Sequence, residues 1–342
     1  MAQYNTRNIF VGIDYHQHNV QVCVLDEDGQ VLLNRGLPNQ RTQIESTIKC
    51  VGHPRRVALE ACGGSAHLAQ ELVDQSGWLV ELAHPGYVAR MKGSPDKTDF
   101  GDARLLADLT RVGYLPRVWL APPYLRELRL LVRYRQQHVN QRRSIKLRIS
   151  ALLREYRLKP GVPIRSWTKA WHAWLSEEAM GQLPESCLWI LRRHLMQLEA
   201  TASEIDAAVR RLREFTKEDV VVHRLLQEPC VGEVTAWVLR AEIGRFDRFQ
   251  RPKSLSRFCG LSPRNASSGQ RQADAGLIKA GSNLLRTTLI ELAHRLARWD
   301  RRWSELKRRL VGAGKKGSVA TAAVANRWMR NLWHRMQEIE ME

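Results

Sequence analysis

The sequence predicts an α/β domain at the N-terminus followed by mostly helical structure. Short apolar, β-prone runs alternate with helical patterns up to residue 83, and beyond Pro123 long segments repeat apolar residues at helical spacing. The basic residues are concentrated in that second part. At 342 residues the chain is long enough for two or three domains, each with its own core.

The first predicted strand, residues 9–14, reads Ile-Phe-Val-Gly-Ile-Asp. Because this run is short, β-branched and bounded by polar residues, we expect a strand buried on both faces. Residues 19–25 and 31–35 then form an antiparallel hairpin around a turn at 26–29. The domain is completed by a helix through Ile44 and Ile48, a strand at 57–60, a helix at 65–75 and a strand at 78–83.

Four acidic residues accompany these elements. Asp14 and Glu60 end two strands, and Asp99 and Asp102 lie three residues apart at the start of a helical pattern. Four gathered carboxylates repel one another unless a cation neutralises them, and oxygen ligands favour Mg²⁺ or Mn²⁺. The alternative is that they are turn residues and, for Asp99, a helix N-cap. This order of strands, helices and carboxylates resembles that of ribonuclease H-like nucleases, whereas periodicity alone predicts only a mixed α/β domain.

The middle of the chain begins with a long predicted helix at 125–156. It carries nine Lys and Arg residues, against only Glu127 and Glu155 as acidic residues. We expect this face to contact a nucleic-acid backbone, and a purely solvated face is the alternative. The candidate contacts are Arg133, Arg142, Arg143 and Lys146. Residues 159–174 contain Pro and Trp and predict a partly irregular connector.

A second long helix is predicted at 188–212. Its apolar residues follow a three-four spacing for more than three heptads, which is typical of a coiled-coil seam. The seam can pair with the helix at 125–156 in the same chain or with another protomer. The residues of the seam are Leu188, Leu191, Leu195, Leu198, Ala202, Ile205, Val209 and Leu212.

Residues 225–244 resemble a helix-hairpin-helix, in which a tight turn directs backbone N–H groups at a phosphate. Cys230 stands where such a hairpin usually has its first glycine, so an ordinary helical hairpin is equally compatible with the sequence.

Residues 258–286 follow, and their Gly, Ser and Asn content predicts an exposed loop that contains Ser267 and Ser268. Four basic residues there can hold a phosphate: Arg264, Arg271, Lys279 and Arg286.

The charge is divided unevenly along the chain. Residues 1–112 contain 11 Lys and Arg and 13 Asp and Glu, a net charge of −2, whereas the whole chain carries +19. The remainder therefore carries +21, which indicates a polyanionic partner. An acidic protein partner or an anionic membrane surface would also fit the charge, but 11 Trp residues and the lack of a recognisable amphipathic anchor favour nucleic acid.

Composition also predicts the compartment. No signal peptide and no membrane-spanning apolar run are recognisable. The six cysteines are scattered through apolar context without the spacing of a zinc site, so we expect reduced core thiols in a cytoplasmic protein.

Taken together, the motifs resemble the DEDD transposases of the insertion-sequence one-ten family nearly end to end. The resemblance rests on the ordered set Gly12-Ile-Asp14, Leu59-Glu-Ala61, 97–103, the Pro-Cys-Val-Gly hairpin, 260–264 with Ser268-Gly269, Lys279-Ala-Gly281 and 314–317. It implies a RuvC-like domain over 1–116, basic helices and a coiled coil over 117–222, and a C-terminal transposase domain over 223–342.

The resemblance also implies a chemistry. Asp14, Glu60, Asp99 and Asp102 would bind the metal, and Ser268, directly before Gly269, would be the nucleophile. The neighbouring Ser267 leaves this assignment ambiguous by one residue. Family members recombine DNA through a serine-phosphodiester intermediate, are guided by a structured noncoding bridge RNA, and form tetramers whose active sites combine two subunits.

Three functions therefore compete. The leading hypothesis is an RNA-guided DNA recombinase that works as a homo-oligomer, a dimer or a tetramer. The second is a metal-dependent, structure-specific endonuclease that hydrolyses DNA with water. The third, a non-catalytic nucleic-acid-binding protein with a nuclease fold, is disfavoured because all four carboxylates are present.

Overall fold

The computed structural model describes residues 7–92, 98–265, 274–278 and 281–337. The chain divides into two compact units, Met1–Ala121 and Pro122–Glu342. The first is built on a mixed sheet and the second is mostly helical, so the predicted fold class is confirmed at this level. Within the described ranges, no helix has both the length and the apolar character needed to cross a membrane.

A six-stranded sheet forms the centre of the first unit, in the order β3-β2-β1-β4-β5-β6. β1, β2 and β3 pair antiparallel, β1, β4 and β5 run parallel, and β6 returns antiparallel to β5. The strands are β1 (Asn8–Tyr15), β2 (Asn19–Leu25), β3 (Val31–Pro38), β4 (His53–Glu60), β5 (Val80–Ala83) and β6 (Arg117–Val118).

Helices lie on both faces of this sheet. Ile9, Val11 and Ile13 of β1 join a buried cluster with residues of the first two helices, while Gly12 faces the fourth helix on the opposite side. Alternate residues of one strand therefore reach two separate cores, which explains why the run is apolar throughout. The helices are α1 (Arg41–Val51), α2 (Ser65–Ser76), α3 (Pro85–Val88) and α4 (Asp99–Arg111).

The predicted strand at 57–60 proves to begin four residues earlier. β4 starts at His53 and includes Pro54, a residue that cannot donate a ladder hydrogen bond. The register shifts between Ile9 and Phe10, which pair with Pro54 and Arg56, so Arg55 forms a bulge. The bulge accommodates the proline at the start of the strand. Because it depends on pairing with β1, the local sequence does not predict it.

The second unit contains nine helices and one small hairpin among its described residues. The helices are α5 (Pro123–Glu155), α6 (Lys169–Trp174), α7 (Glu185–Phe215), α8 (Val220–Leu226), α9 (Glu233–Ile243), α10 (Pro252–Phe258), α11 (Asn283–Trp299), α12 (Arg301–Gly312) and α13 (Gly317–Gln337). The hairpin consists of β7 (Pro263–Asn265) and β8 (Asp274–Leu277).

The two long helices α5 and α7 pack against each other within the chain. Their direction is antiparallel, because Tyr134 Oη donates to Glu204 at 2.8 Å while Tyr156 Oη lies 3.1 Å from Cys187 Sγ. Ile145, Ile149 and Leu153 of α5 share a core with Leu191, into which the connector also places Trp171 and Trp174. The helix α5 of the same chain therefore covers part of the predicted seam. This agrees with the predicted alternative in which the seam pairs within one chain.

The predicted hairpin at 225–244 is present as α8 and α9. Cys230, in the turn between them, has a φ of 63°, the left-handed conformation that glycine adopts most easily. The segment predicted as a loop after residue 258 is in part a short antiparallel strand pair, β7 with β8, and its last residues, 283–286, begin α11, so that prediction is wrong at these places. Local composition misses them because two short strands depend on pairing with each other.

The prediction that all six cysteines are core thiols also needs correction. All six are free, but only Cys23 and Cys259 are buried, whereas Cys50 and Cys62 are exposed. Cys50 lies in the last turn of α1 and Cys62 in the turn after β4, so neither position points into a core.

Candidate functional site

Two of the predicted acidic residues lie at the carboxyl ends of two neighbouring central strands. β1 and β4 are parallel, with Gly12 paired to Ala58 and Ile13 to Leu59. The next residues in this register are Asp14 and Glu60, which therefore occupy neighbouring positions at the carboxyl ends of the two strands. α/β sheets gather their functional residues at these carboxyl ends of the strands.

The other two acidic residues come close to the carboxyl end of β1 because α4 lies in backbone contact with this strand. A Cβ at Gly12 would fall 2.1 Å from the Ala103 carbonyl oxygen and 2.4 Å from the Ala107 nitrogen. Only glycine permits this approach. At the N-terminus of α4, Thr98 Oγ1 accepts a hydrogen bond from the Gly101 nitrogen at 3.1 Å, so the first turn containing Asp99 and Asp102 is firmly capped.

A histidine lies between two of the carboxylates. His16 Nε2 is 3.4 Å from Asp14 Oδ2 and 3.3 Å from Asp99 Oδ2. One ligand atom from each of the three residues falls within 4.8 Å of the others. Sequence reasoning missed His16, although its position two residues after Asp14 is the spacing at which extended backbone places side chains on one side.

Asp102 is the most buried of the four carboxylates, with 7% of its surface exposed. Its Oδ1 lies 2.5 Å from Lys92 Nζ, and this ammonium is itself only 24% exposed. Lys92 precedes α4 and was not among the residues predicted to belong to the site. It supplies a positive charge that is fixed to the chain beside the acidic residues.

The charges of this group act on one another. Burial raises the pKa of the Asp14 carboxyl above its ordinary value; His16 and Lys92 oppose that shift, and Asp102 and Asp99 add to it. Burial likewise raises the pKa of the Cys62 thiol, and among its charged neighbours Glu60 and Asp14 add to the shift. Glu60 therefore lies within electrostatic reach of the same neighbourhood as Asp14.

These residues suit a divalent cation. We define Asp14, Glu60, Asp99, Asp102 and His16 as the acidic cluster. Its carboxylates offer hard oxygen ligands, and ligand atoms of Asp14 and Asp99 lie with one of His16 within 4.8 Å of one another. A cation bound here would stabilise the ionised carboxyl, and an imidazole nitrogen is a better ligand for Mn²⁺ than for Mg²⁺.

Two family models match this chain. One, for the DEDD transposase of IS110 and described as a transposase, matches residues 11–158, which include all four carboxylates. The other, described as the transposase IS116/IS110/IS902 family, matches residues 222–308. The chain belongs to the IS110 family of transposases. Such enzymes bind, cut and rejoin DNA.

Curated relatives extend the similarity over most of the transposase. It is 28% identical to a transposase for insertion sequence element IS1111A from Coxiella burnetii, over 94% of this chain and 88% of that protein. It is 26% identical to the transposase for IS1328 from Yersinia enterocolitica, over 94% of this chain and 95% of the relative. A probable family 20 transposase from Pseudomonas aeruginosa is also 26% identical, with the same coverage of both chains.

Three of the predicted nucleic-acid contacts of the transposase share one cleft. Arg142, Arg143 and Lys146 of α5 line a cavity of about 290 Å³ together with Trp167. Lys146 Nζ lies 4.7 Å from the centre of the Trp167 ring. Burial lowers the pKa of the Lys146 ammonium, and the positive charge of Arg142 lowers it further. An anion in this cleft would relieve that repulsion.

The remaining predicted contacts are placed differently. Arg133 forms an ion pair at 3.2 Å with the buried Glu242, so it joins α5 to α9. Arg264 is exposed on β7, and Arg286 Nη2 donates to Asn283 Oδ1 at 2.8 Å in the first turn of α11. Ser267, Ser268, Arg271 and Lys279 lie outside the described residues.

Proposed function

We propose that this transposase cuts and rejoins DNA at the acidic cluster, with Ser268 as the nucleophile and a structured noncoding RNA as the guide. Asp14, Glu60, Asp99 and Asp102 would hold Mg²⁺ or Mn²⁺, and His16 would add a nitrogen ligand. When bound, such a cation polarises a phosphate and stabilises a leaving oxygen.

The observation that supports the metal site best is the grouping of Asp14, His16 and Asp99, whose ligand atoms lie within 4.8 Å of one another. Burial raises the pKa of the Asp14 carboxyl, and the charges of Asp102 and Asp99 add to that shift while His16 and Lys92 oppose it. A bound cation would stabilise the ionised form of this carboxyl and could hold a DNA phosphate at the same place.

The proposed reaction needs no external energy source. The Ser268 oxygen forms a bond to phosphorus while the bond from phosphorus to a deoxyribose oxygen breaks, and the hydroxyl proton ends on that leaving oxygen. One phosphoester therefore replaces another, and a free DNA hydroxyl remains. Attack by a different DNA hydroxyl reverses the step, joins the new strand and restores the serine.

The guide and the assembly follow from the resemblance and are supported by charge. Residues after 112 carry a net +21, enough for extensive backbone contacts with both RNA and DNA. If base pairing selects the sequence, the protein itself needs to recognise only backbone and shape. We propose a homo-oligomer in which the serine loop of one subunit completes the acidic cluster of another.

The same proposal assigns the domains. Residues 1–116 form a RuvC or ribonuclease H-like catalytic domain, 117–222 the basic helices and coiled coil, and 223–342 the C-terminal transposase domain. The order of strands in the six-stranded sheet supports the first assignment. The antiparallel packing of α5 on α7 supports the second.

Capture of a covalent protein–DNA adduct tests the nucleophile. With a labelled DNA substrate, guide RNA and Mg²⁺, the wild type should yield an adduct that survives denaturation. Ser268→Ala should remove both adduct and recombination, because no oxygen remains to attack phosphorus. Ser267→Ala is the matched control and should retain most activity. Peptide mass spectrometry of the adduct identifies the modified residue directly.

Two results would contradict this assignment. An adduct on Ser267 would move the nucleophile by one residue. DNA cleavage without any adduct would instead support a structure-specific endonuclease, in which the acidic cluster activates water. Asp14→Asn should abolish cleavage under either mechanism, so full cleavage by that variant would refute the metal site itself.

A further inference from the structure

The C-terminal helices enclose a cationic cleft that the acidic cluster and the serine do not explain. We call it the α12–α13 cleft, and its volume is about 620 Å³. Arg302 and Arg309 reach it from α12, and it is completed by Arg327, Arg330, Asn331 and His334 of α13. None of these residues was identified by sequence reasoning.

Helical spacing places the basic residues in two facing rows. Arg302 and Arg309 are seven residues apart, which puts them on one face of α12 two turns from each other. Arg327, Arg330 and His334 follow the three-four-seven spacing of a single face of α13. Seven residues of helix span about 10 Å, so each row is long enough to follow more than one backbone phosphate.

The arginines of this cleft form no ion pair among the described residues, although one carboxylate is part of the lining. Glu305, the acidic residue of the lining, is 2.8 Å from Arg301, which is not one of the lining residues. Arg309, Arg327 and Arg330 form no ion pair with any carboxylate in the part of the chain that the structure describes. From residue 301 to 342 the sequence has ten Lys and Arg and four acidic residues, three of which fall in the last five positions.

In a neighbouring cleft of the same unit, arginines form ion pairs with a buried carboxylate. It has a volume of about 350 Å³ and shares Arg302 with the first, but it also contains Glu228 and Asp300. Arg335 lies 2.5 Å from the buried Glu228, and Arg224 lies 3.1 Å from it. Charges are paired where they support the fold, which leaves the unpaired set in the α12–α13 cleft for an external anion.

The walls of the α12–α13 cleft are also rigid. Trp303 is 6% exposed and Trp328 1% exposed, so both helices are anchored in the core beneath it. The Arg302 guanidinium lies 5.0 Å from the centre of the Trp303 ring, which limits its movement. An arginine held as Arg302 is loses little entropy when it binds phosphate through paired N–H groups.

We propose that the α12–α13 cleft binds the phosphodiester backbone of a DNA strand. The ligand is assigned as DNA because the family acts on DNA, and arginine is the side chain best matched to phosphate. The assignment does not depend on the serine mechanism or on the acidic cluster. It predicts a second region of DNA contact, on the C-terminal helices of the transposase.

Binding in EDTA tests this without cleavage. The full-length double variant Arg309→Gln/Arg330→Gln removes one arginine from each helix, and affinity for a short labelled DNA duplex should fall on the order of tenfold. The slope of log affinity against log salt should decrease by about two, because two phosphate contacts are lost. The matched control Lys307→Gln/Arg308→Gln removes the same charge from α12 outside the cleft and should change the slope far less.

Three results would overturn the proposal: equal effects of the cleft variant and the control, an unchanged salt slope, or a loss confined to an RNA duplex of matched sequence. Circular dichroism checks that the variants fold. Arg309 is exposed, so the single variant Arg309→Gln retains the fold and should still reduce the slope by about one.

Discussion

At the scale of single residues, we expect His16 to influence which divalent metal ion the acidic cluster binds. Its imidazole lies 3.3–3.4 Å from carboxylate oxygens of both Asp14 and Asp99, which places a nitrogen ligand among oxygen ligands. Transition-metal ions such as Mn²⁺ bind imidazole more strongly than Mg²⁺ does. The site should therefore favour Mn²⁺ more than four carboxylates alone would.

Replacing this histidine tests the idea through binding rather than activity. His16→Ala should weaken Mn²⁺ binding about tenfold, the lower end of the range typical for groups that orient or supplement metal ligands, and should affect Mg²⁺ less. Electron paramagnetic resonance measures free Mn²⁺ directly. The exposed His18 is the matched control, and His18→Ala should bind Mn²⁺ as the wild type does. Unchanged Mn²⁺ affinity in His16→Ala would exclude His16 as a ligand.

At the scale of elements, the contact between β1 and α4 sets the spacing of the carboxylates. Gly12→Ala would drive a methyl group into backbone atoms of Ala103 and Ala107, which cannot rotate away. We expect a loss of about 1 to 3 kcal/mol in the free energy of unfolding, measured by denaturant titration.

Gly36→Ala on β3 is the control for Gly12→Ala, because its added Cβ would meet Gln21 Oε1 at an ordinary 3.5 Å. It should cost much less than Gly12→Ala. Similar losses for the two variants would show that the close contact does not constrain the helix.

These elements also show how far sequence can be interpreted. Asp14 and Glu60 were predicted at strand ends because apolar runs define strands locally, and both strands are present. His16 and Lys92 were missed because neither follows a periodic pattern, and their role depends on α4 meeting β1. The cationic α12–α13 cleft was missed for the same reason, since two separate helices create it. Contacts between segments that are distant in the chain are what local sequence patterns do not predict.

At the scale of the whole molecule, charge separates the two units. Met1–Ala121 has 12 Lys and Arg and 13 Asp and Glu, a net −1, so Pro122–Glu342 carries +20. The acidic cluster thus belongs to a nearly neutral unit, while polyanion binding is assigned to the other. A reaction that needs both the cluster and the serine loop can draw them from different subunits.

Mixing inactive variants tests this sharing. Ser268→Ala subunits combined with Asp14→Asn subunits should recover part of the wild-type recombination, because some assembled sites receive an intact serine and an intact cluster. The control mixture of Asp14→Asn with Asp102→Asn damages every cluster and should remain inactive. Recombination is measured by sequencing of joined products. No recovery in the first mixture would place the serine and the cluster of each site in one subunit.

If the acidic cluster binds a cation as proposed, the raised pKa of Asp14 couples that binding to folding. Ionising that carboxyl in the folded chain is unfavourable, so the folded state loses stability as pH rises from the ordinary aspartate pKa of 3.8 through the raised value. A ligand that binds only the folded form reverses such a loss by mass action, by about 2.7 kcal/mol at a hundred times its dissociation constant. The supply of free divalent ion in the cell would thus regulate how long each transposase molecule persists, as well as how fast it reacts.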